Sequence, residues 1–81
     1  MREAFVRGIS DEYRLHLGYG ANIVCAVMNL PQCRQGEPLE YIAEVSGKEL
    51  IGFIERHASE LTEHIPEIKE DYRYQIIAWD W

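Results

Sequence analysis

Cysteine, basic runs and long apolar stretches are all scarce in this sequence, and each shortage removes a class of function. Two cysteines, Cys25 and Cys33, are too few for a disulfide framework, although a loop this short geometrically accepts one bridge. A reduced pair in the cytoplasm is the expectation. No apolar run approaches the roughly 20 residues that span a bilayer. The opening Met1-Arg2-Glu3-Ala4-Phe5-Val6-Arg7 lacks the uninterrupted apolar core of a secretion signal. A soluble intracellular protein without a membrane partner is expected.

Basic residues are outnumbered, with 8 Lys and Arg against 14 Asp and Glu for a formal net charge of −6. Residues 1–40 carry four Arg against five acids, whereas residues 41–81 carry four bases against nine acids. Such a surface repels phosphate, and no local run of Lys or Arg offsets it, which argues against direct binding of nucleic acid.

Catalytic and metal motifs are missing too. His57 and His64 lie seven apart, whereas zinc-binding histidines on one helix usually fall three to five apart, and neither a Cys-x2–4-Cys nor a His-Glu-x-x-His pattern occurs. Both imidazoles are instead expected to flank an apolar stripe, with Glu60 placed to pair with His64. A reactive cysteine needs a neighbouring cation, and Arg34 beside Cys33 is the weakest form of that environment. Cys25 is expected to be buried in a strand. Gly18-Tyr19-Gly20-Ala21-Asn22 lacks the third glycine, the Lys-Ser/Thr pair and the amphipathic helix of a phosphate loop, so a turn between strands is expected there. No catalytic residue, metal or cofactor is expected.

What the chain does have is a globular composition, 47% apolar and 27% charged, in one domain spanning residues 1–81. So small a domain buries only roughly 60% of the surface its unfolded chain exposes, so a partner or a second copy adds materially to its stability.

The plainest element starts at Ser46. Ser46-Gly47-Lys48-Glu49 fits a capping box, and Val45 with Leu50 fits the hydrophobic staple around it. At 100° per residue Leu50, Ile51, Phe53, Ile54, His57, Ala58, Leu61, His64 and Ile65 share one side of a helix over 47–65, which Pro66 should end. Before it, Leu39, Tyr41, Ala43 and Val45 alternate with Glu40, Ile42 and Glu44 as in a half-buried strand whose Glu residues face water. Residues 22–30, Asn-Ile-Val-Cys-Ala-Val-Met-Asn-Leu, form a β-branched apolar run followed by turn formers, which suggests a hairpin with that strand; a buried helix capped by Asn22 is the alternative. Tyr72 to Trp79 reads as a further strand. Between Tyr13 and Tyr19 the alternation favours a strand over a short helix. The expected fold is α+β: a small antiparallel sheet of three to five strands, with one amphipathic helix packed on one face and inserted before the C-terminal strand.

With the motif-based chemistry absent, the expected function is that of a small acidic interaction module. It would bind a larger protein with a basic surface, possessing the character of an inhibitor or modulator such as those of phages and mobile elements, or of an immunity protein. Glu49, Glu55, Glu60 and Glu63 on the helix, Glu67, Glu70 and Asp71 in the connector after Pro66, and Tyr72, Tyr74, Trp79 and Trp81 in the aromatic C-terminal strand are the expected contact residues. A bland alternative has Trp79 closing the core and Trp81 fraying. Two other readings are a homodimer built through an edge strand or exposed aromatics, and an enzyme using Cys33, His16, His57 or His64 at a subunit interface.

Overall fold

Alternation along the strands decides which face of the sheet is buried. In β1 (Arg2–Gly8) Ala4 and Val6 point one way, and in β5 (Arg73–Asp80) Tyr74, Ile76 and Ala78 do the same. Ala43 and Val45 follow suit in β4 (Glu40–Ser46), as does Leu17 in β2 (Arg14–Tyr19). The two-residue β3 (Arg34–Gln35) pairs with β4. These strands form one antiparallel sheet in the order β2-β1-β5-β4-β3, so that the last strand is the central one. The computed structural model describes residues 1–81.

Two helices cover that buried face. Ile23, Val24 and Val27 of α1 (Ala21–Met28) and Leu50, Phe53 and Ile54 of α2 (Gly47–His57) join the strand residues in one apolar cluster. The outcome is the expected α+β architecture, with α2 inserted before the C-terminal strand.

Several local expectations are corrected. Residues 22–30 are helical over Ala21–Met28, so no hairpin joins that run to β4, and Cys25 is exposed on the helix rather than buried in a strand. Ile23, Val24 and Val27 recur at helical spacing, and packing against the sheet outweighs the β preference of those branched side chains. The cap is Gly20 at φ 109°, not Asn22, and the turn Gly18–Gly20 therefore joins a strand to a helix. A strand at Arg2–Gly8 also exists where none was expected.

Residues 47–65 do not form one helix. The capping box is present, with the Glu49 N–H donating to Ser46 Oγ at 3.1 Å and the Ser46 N–H donating to Glu49 Oε1 at 2.8 Å. The α-helix ends at His57, however, because Ala58 turns to φ −143° and ψ 51°. The chain then continues as a 3-10 helix over Ser59–Glu67, which includes Pro66 instead of stopping before it. Leu61, His64 and Ile65 stay half-buried against the core, as the apolar stripe requires, while His57 is exposed. The 3-10 segment folds back along α2: the Leu61 N–H donates to Ala58 at one end, and at the other the Lys48 N–H donates to Glu70 and the Gly47 N–H to Tyr72.

Candidate interaction surfaces

The expected contact residues are split between opposite sides of the molecule. On the helical side, Glu55 ends the exposed flank of α2, and Glu60 and Glu63 project from the 3-10 helix. Glu70 and Asp71 sit in the turn beside the first residues of α2, where their charge suits the positive end of the helix dipole. All five are exposed, and none forms an ion pair within the chain.

Glu49 and Glu67 are differently placed. Glu49 is occupied by the cap and accepts a hydrogen bond from Gln32 Nε2 at 2.9 Å, and the Ser46 amide holds its carboxyl below the usual carboxylate range. Glu67 accepts from Tyr13 Oη at 2.7 Å and meets His64 Nδ1 at 3.1 Å. The Tyr13 hydroxyl, followed by His64, lowers the Glu67 pKa, while burial and the Glu67 bond hold Tyr13 protonated well beyond its ordinary range. His64 thus pairs with Glu67 three residues on, not with Glu60 four residues back, because side chains three apart line up in a 3-10 helix. Both carboxylates remain exposed but already hold partners within the chain, which leaves them less to offer another molecule.

Among the aromatics, Tyr74 is not a surface residue. It is fully buried, and its hydroxyl accepts from the Lys69 amide at 3.1 Å. Its alternation with Arg73 and Gln75 fixes it on the helix-covered side. Tyr72 is half-buried beneath the Lys69 ammonium, 4.7 Å from the ring centre. Trp79 and Trp81 lie on the other side of the sheet, which no helix covers.

That open face is ordered by the strand register into rows. One row runs Arg14, Arg7, Gln75, Glu44, with Arg73 beyond it. The next runs His16, Phe5, Ile77, Ile42, Arg34. The third runs Tyr19, Glu3, Trp79, Glu40, with Trp81 following. Side-chain contacts knit the rows: Phe5 meets Trp79 edge-on at 4.9 Å, Trp79 stacks on Trp81 at 5.0 Å, and His16 lies 4.6 Å from Tyr19. Trp79 Nε1 donates to Glu40 at 3.0 Å and lowers that carboxyl's pKa. Trp79 therefore neither closes the core nor stands free, and Trp81 is a stacked ring with 56% of its surface exposed. Sequence reasoning missed Phe5, Tyr19 and Ile42 as surface residues; the alternation of Glu3, Phe5 and Arg7 with Ala4 and Val6 was the available signal.

Both thiols are free, and burial pushes the Cys33 pKa up, the opposite of what a thiolate nucleophile requires. No three His, Cys, Asp or Glu side chains come together as a metal-holding group, and no helix is long and apolar enough to cross a membrane. A groove of about 500 Å³ lies between the end of α1 and α2, rimmed by Lys48 and Arg56. Val45, Phe53 and Ile76 at its floor are each at most 1% exposed, which makes it shallow. No family profile, curated protein or solved structure matches the chain.

Proposed function

We propose that the protein is a small acidic interaction module of the cytoplasm, an inhibitor or modulator that docks its helical side onto a basic surface of a larger protein. The observation that carries this reading is the set of exposed carboxylates without internal ion pairs: Glu55 on α2, Glu60 and Glu63 on the 3-10 helix, and Glu70 and Asp71 in the turn that follows it. Carboxylates already paired inside the chain have less field to offer a partner; these five keep theirs. They are presented on a framework fixed by the capping box and by the backbone bonds of Gly47 and Lys48 to the turn before β5, so little ordering remains to oppose association. Two unbridged thiols suit a reducing compartment.

Basic surfaces of the complementary kind are common on proteins that handle nucleic acids, and exposed carboxylates compete there with phosphate. The open sheet face takes no part in this docking, so Trp79 and Trp81 are not among its contacts.

Affinity capture from an extract of the native host tests the reading. Basic proteins should be retained at low salt and released as salt rises, because screening shortens the range of exposed charges to about 8 Å at physiological ionic strength. Combined Glu55→Lys, Glu60→Lys and Glu63→Lys should lower that retention about tenfold or more, whereas Trp81→Ala should leave it intact. Retention that is indifferent to both salt and the triple reversal would refute acidic docking.

A further inference from the structure

We infer that the open face of the sheet is a homodimer interface, on which a second copy of this chain packs face to face about a two-fold axis running along the central apolar row. The inference concerns the side of the molecule away from the acidic docking surface and stands independently of it.

The first observation is the ordering of charge along the strands. At one end of the face stand Arg7, Arg14 and Arg73, with Glu44 as the opposing acid; at the other stand Glu3, met by His16 Nε2 at 3.0 Å, and Glu40, which holds the Trp79 indole, with no Lys or Arg in that row. Between them lies an uncharged strip across the three inner strands, in which Phe5 and Ile42 are half-buried and Ile77 between them is already covered, at 4% exposed. A surface that is cationic at one end, apolar in the middle and anionic at the other is complementary to itself once rotated by half a turn, which is the requirement of an isologous interface.

An axis along the apolar strip inverts the strand direction of the second copy, so the cationic end of each sheet faces the anionic end of the other. Phe5 and Ile42, half-buried in the lone chain, then meet their own equivalents. Arg7 of each copy comes over Glu3 of its mate, and Arg14, which has no ion pair within the chain, comes over Tyr19, which is 67% exposed. Guanidinium over a phenol ring is a favourable stacking arrangement. Glu44 is met by Arg73 of its own chain at 3.9 Å, which reduces its repulsion toward the incoming acids. The sheets' own twist sets their strands at about 30°, the usual angle of two packed sheets.

The second observation is size. Four strands of six to eight residues, about 4.8 Å apart with about 3.4 Å per residue, give a face of roughly 19 by 24 Å to which the two-residue β3 adds little; with side-chain relief this suits an interface toward the small end of the specific range, of the kind that dissociates on dilution. The third is what a lone copy leaves wet: the stacked pair of Trp79 and Trp81 beside Phe5. Packing against a second sheet would turn this half-covered aromatic cluster into the interior of a four-layer sandwich, helices outside and sheets within.

Sedimentation equilibrium of the intact chain over a concentration series tests the proposal. The expected result is a monomer–dimer equilibrium that weakens as salt rises. Trp81→Ala at the chain end should weaken association roughly 10- to 100-fold without altering the circular dichroism spectrum. Arg7→Glu with Arg14→Glu should be monomeric, as should Glu3→Arg with Glu40→Arg, and an equimolar mixture of the two should restore a dimer of one of each. If either reversal fails to fold, the Trp81 variant still decides. A wild-type monomer at every concentration overturns the proposal. So does a dimer that ignores Trp81→Ala and either folded reversal, since it would use another surface, or a face that takes up single-stranded oligonucleotide while the chain stays monomeric. Combined Glu55→Lys, Glu60→Lys and Glu63→Lys should remain dimeric, which separates this face from the docking side.

Discussion

Gly47 and Gly52 both lie in α2, yet the same substitution has opposite consequences at the two. A Cβ on Gly47 would fall 1.9 Å from the Lys69 carbonyl oxygen and 3.0 Å from the Glu70 Cα, both backbone atoms of the turn that closes on the helix start. A Cβ on Gly52 would meet only the tip of Arg56, 3.1 Å away, on a side chain free to swing aside. Gly47→Ala should therefore destabilise by about 3 kcal/mol, the upper part of the usual overpacking range. Gly52→Ala should stabilise by about 0.5–1 kcal/mol, since alanine loses less backbone entropy in a helix. Urea unfolding of both variants measures the pair, and a Gly47→Ala protein as stable as the wild type would show that the 69–70 turn is not held against the helix. Lys69 is held from a second side too, because its N–H donates to the hydroxyl of the buried Tyr74 at 3.1 Å.

At the scale of elements, what was legible in the sequence is what is decided locally. The start of α2 is set by Ser46 and Glu49 acting on each other. Ser46→Ala should lower stability by about 1 kcal/mol, a typical loss for a capping side chain, and should move the thermal midpoint down without altering the slope of urea unfolding. The end of α2 was not legible, because the apolar stripe that predicts one helix through Ile65 is equally served by a 3-10 continuation that keeps Leu61, His64 and Ile65 against the core. The helical nature of 21–28 was hidden for a related reason: Val and Ile lean toward strand, and the sheet beneath selects the helix against that preference by burying Ile23, Val24 and Val27. The acids of the docking side were legible as a wet helix flank. Tyr74 was misplaced because its face depends on the register of β5 between β1 and β4, a long-range fact that the aromatic run from Tyr72 does not record.

Across the whole molecule, three carboxylates act as clasps between segments distant in sequence, and this gives stability a defined pH dependence. Glu40 holds the indole of Trp79, Glu49 joins the α2 cap to Gln32, and Glu67 joins the 3-10 helix to Tyr13. The pKa of each is lowered in the folded chain, chiefly by the Trp79 indole, the Ser46 amide and the Tyr13 hydroxyl respectively. A carboxyl with a lowered folded pKa binds protons more readily when unfolded. Its contribution is present above the unfolded value of about 4.3 and is lost as pH falls toward the folded value. Tyr13 has the opposite sign: its folded pKa is raised by burial and by Glu67, so stability falls as pH climbs past the unfolded tyrosine value of about 10. The urea midpoint should accordingly hold through neutral pH and decline on both sides. Glu67→Gln separates this account from a general loss of charge, because the amide oxygen still accepts from Tyr13 but does not titrate. Its acid limb should be shallower than that of the wild type, and Tyr13→Phe should flatten the alkaline limb. Superimposable acid limbs for wild type and Glu67→Gln would mean that the Tyr13–Glu67 clasp does not contribute to stability in acid.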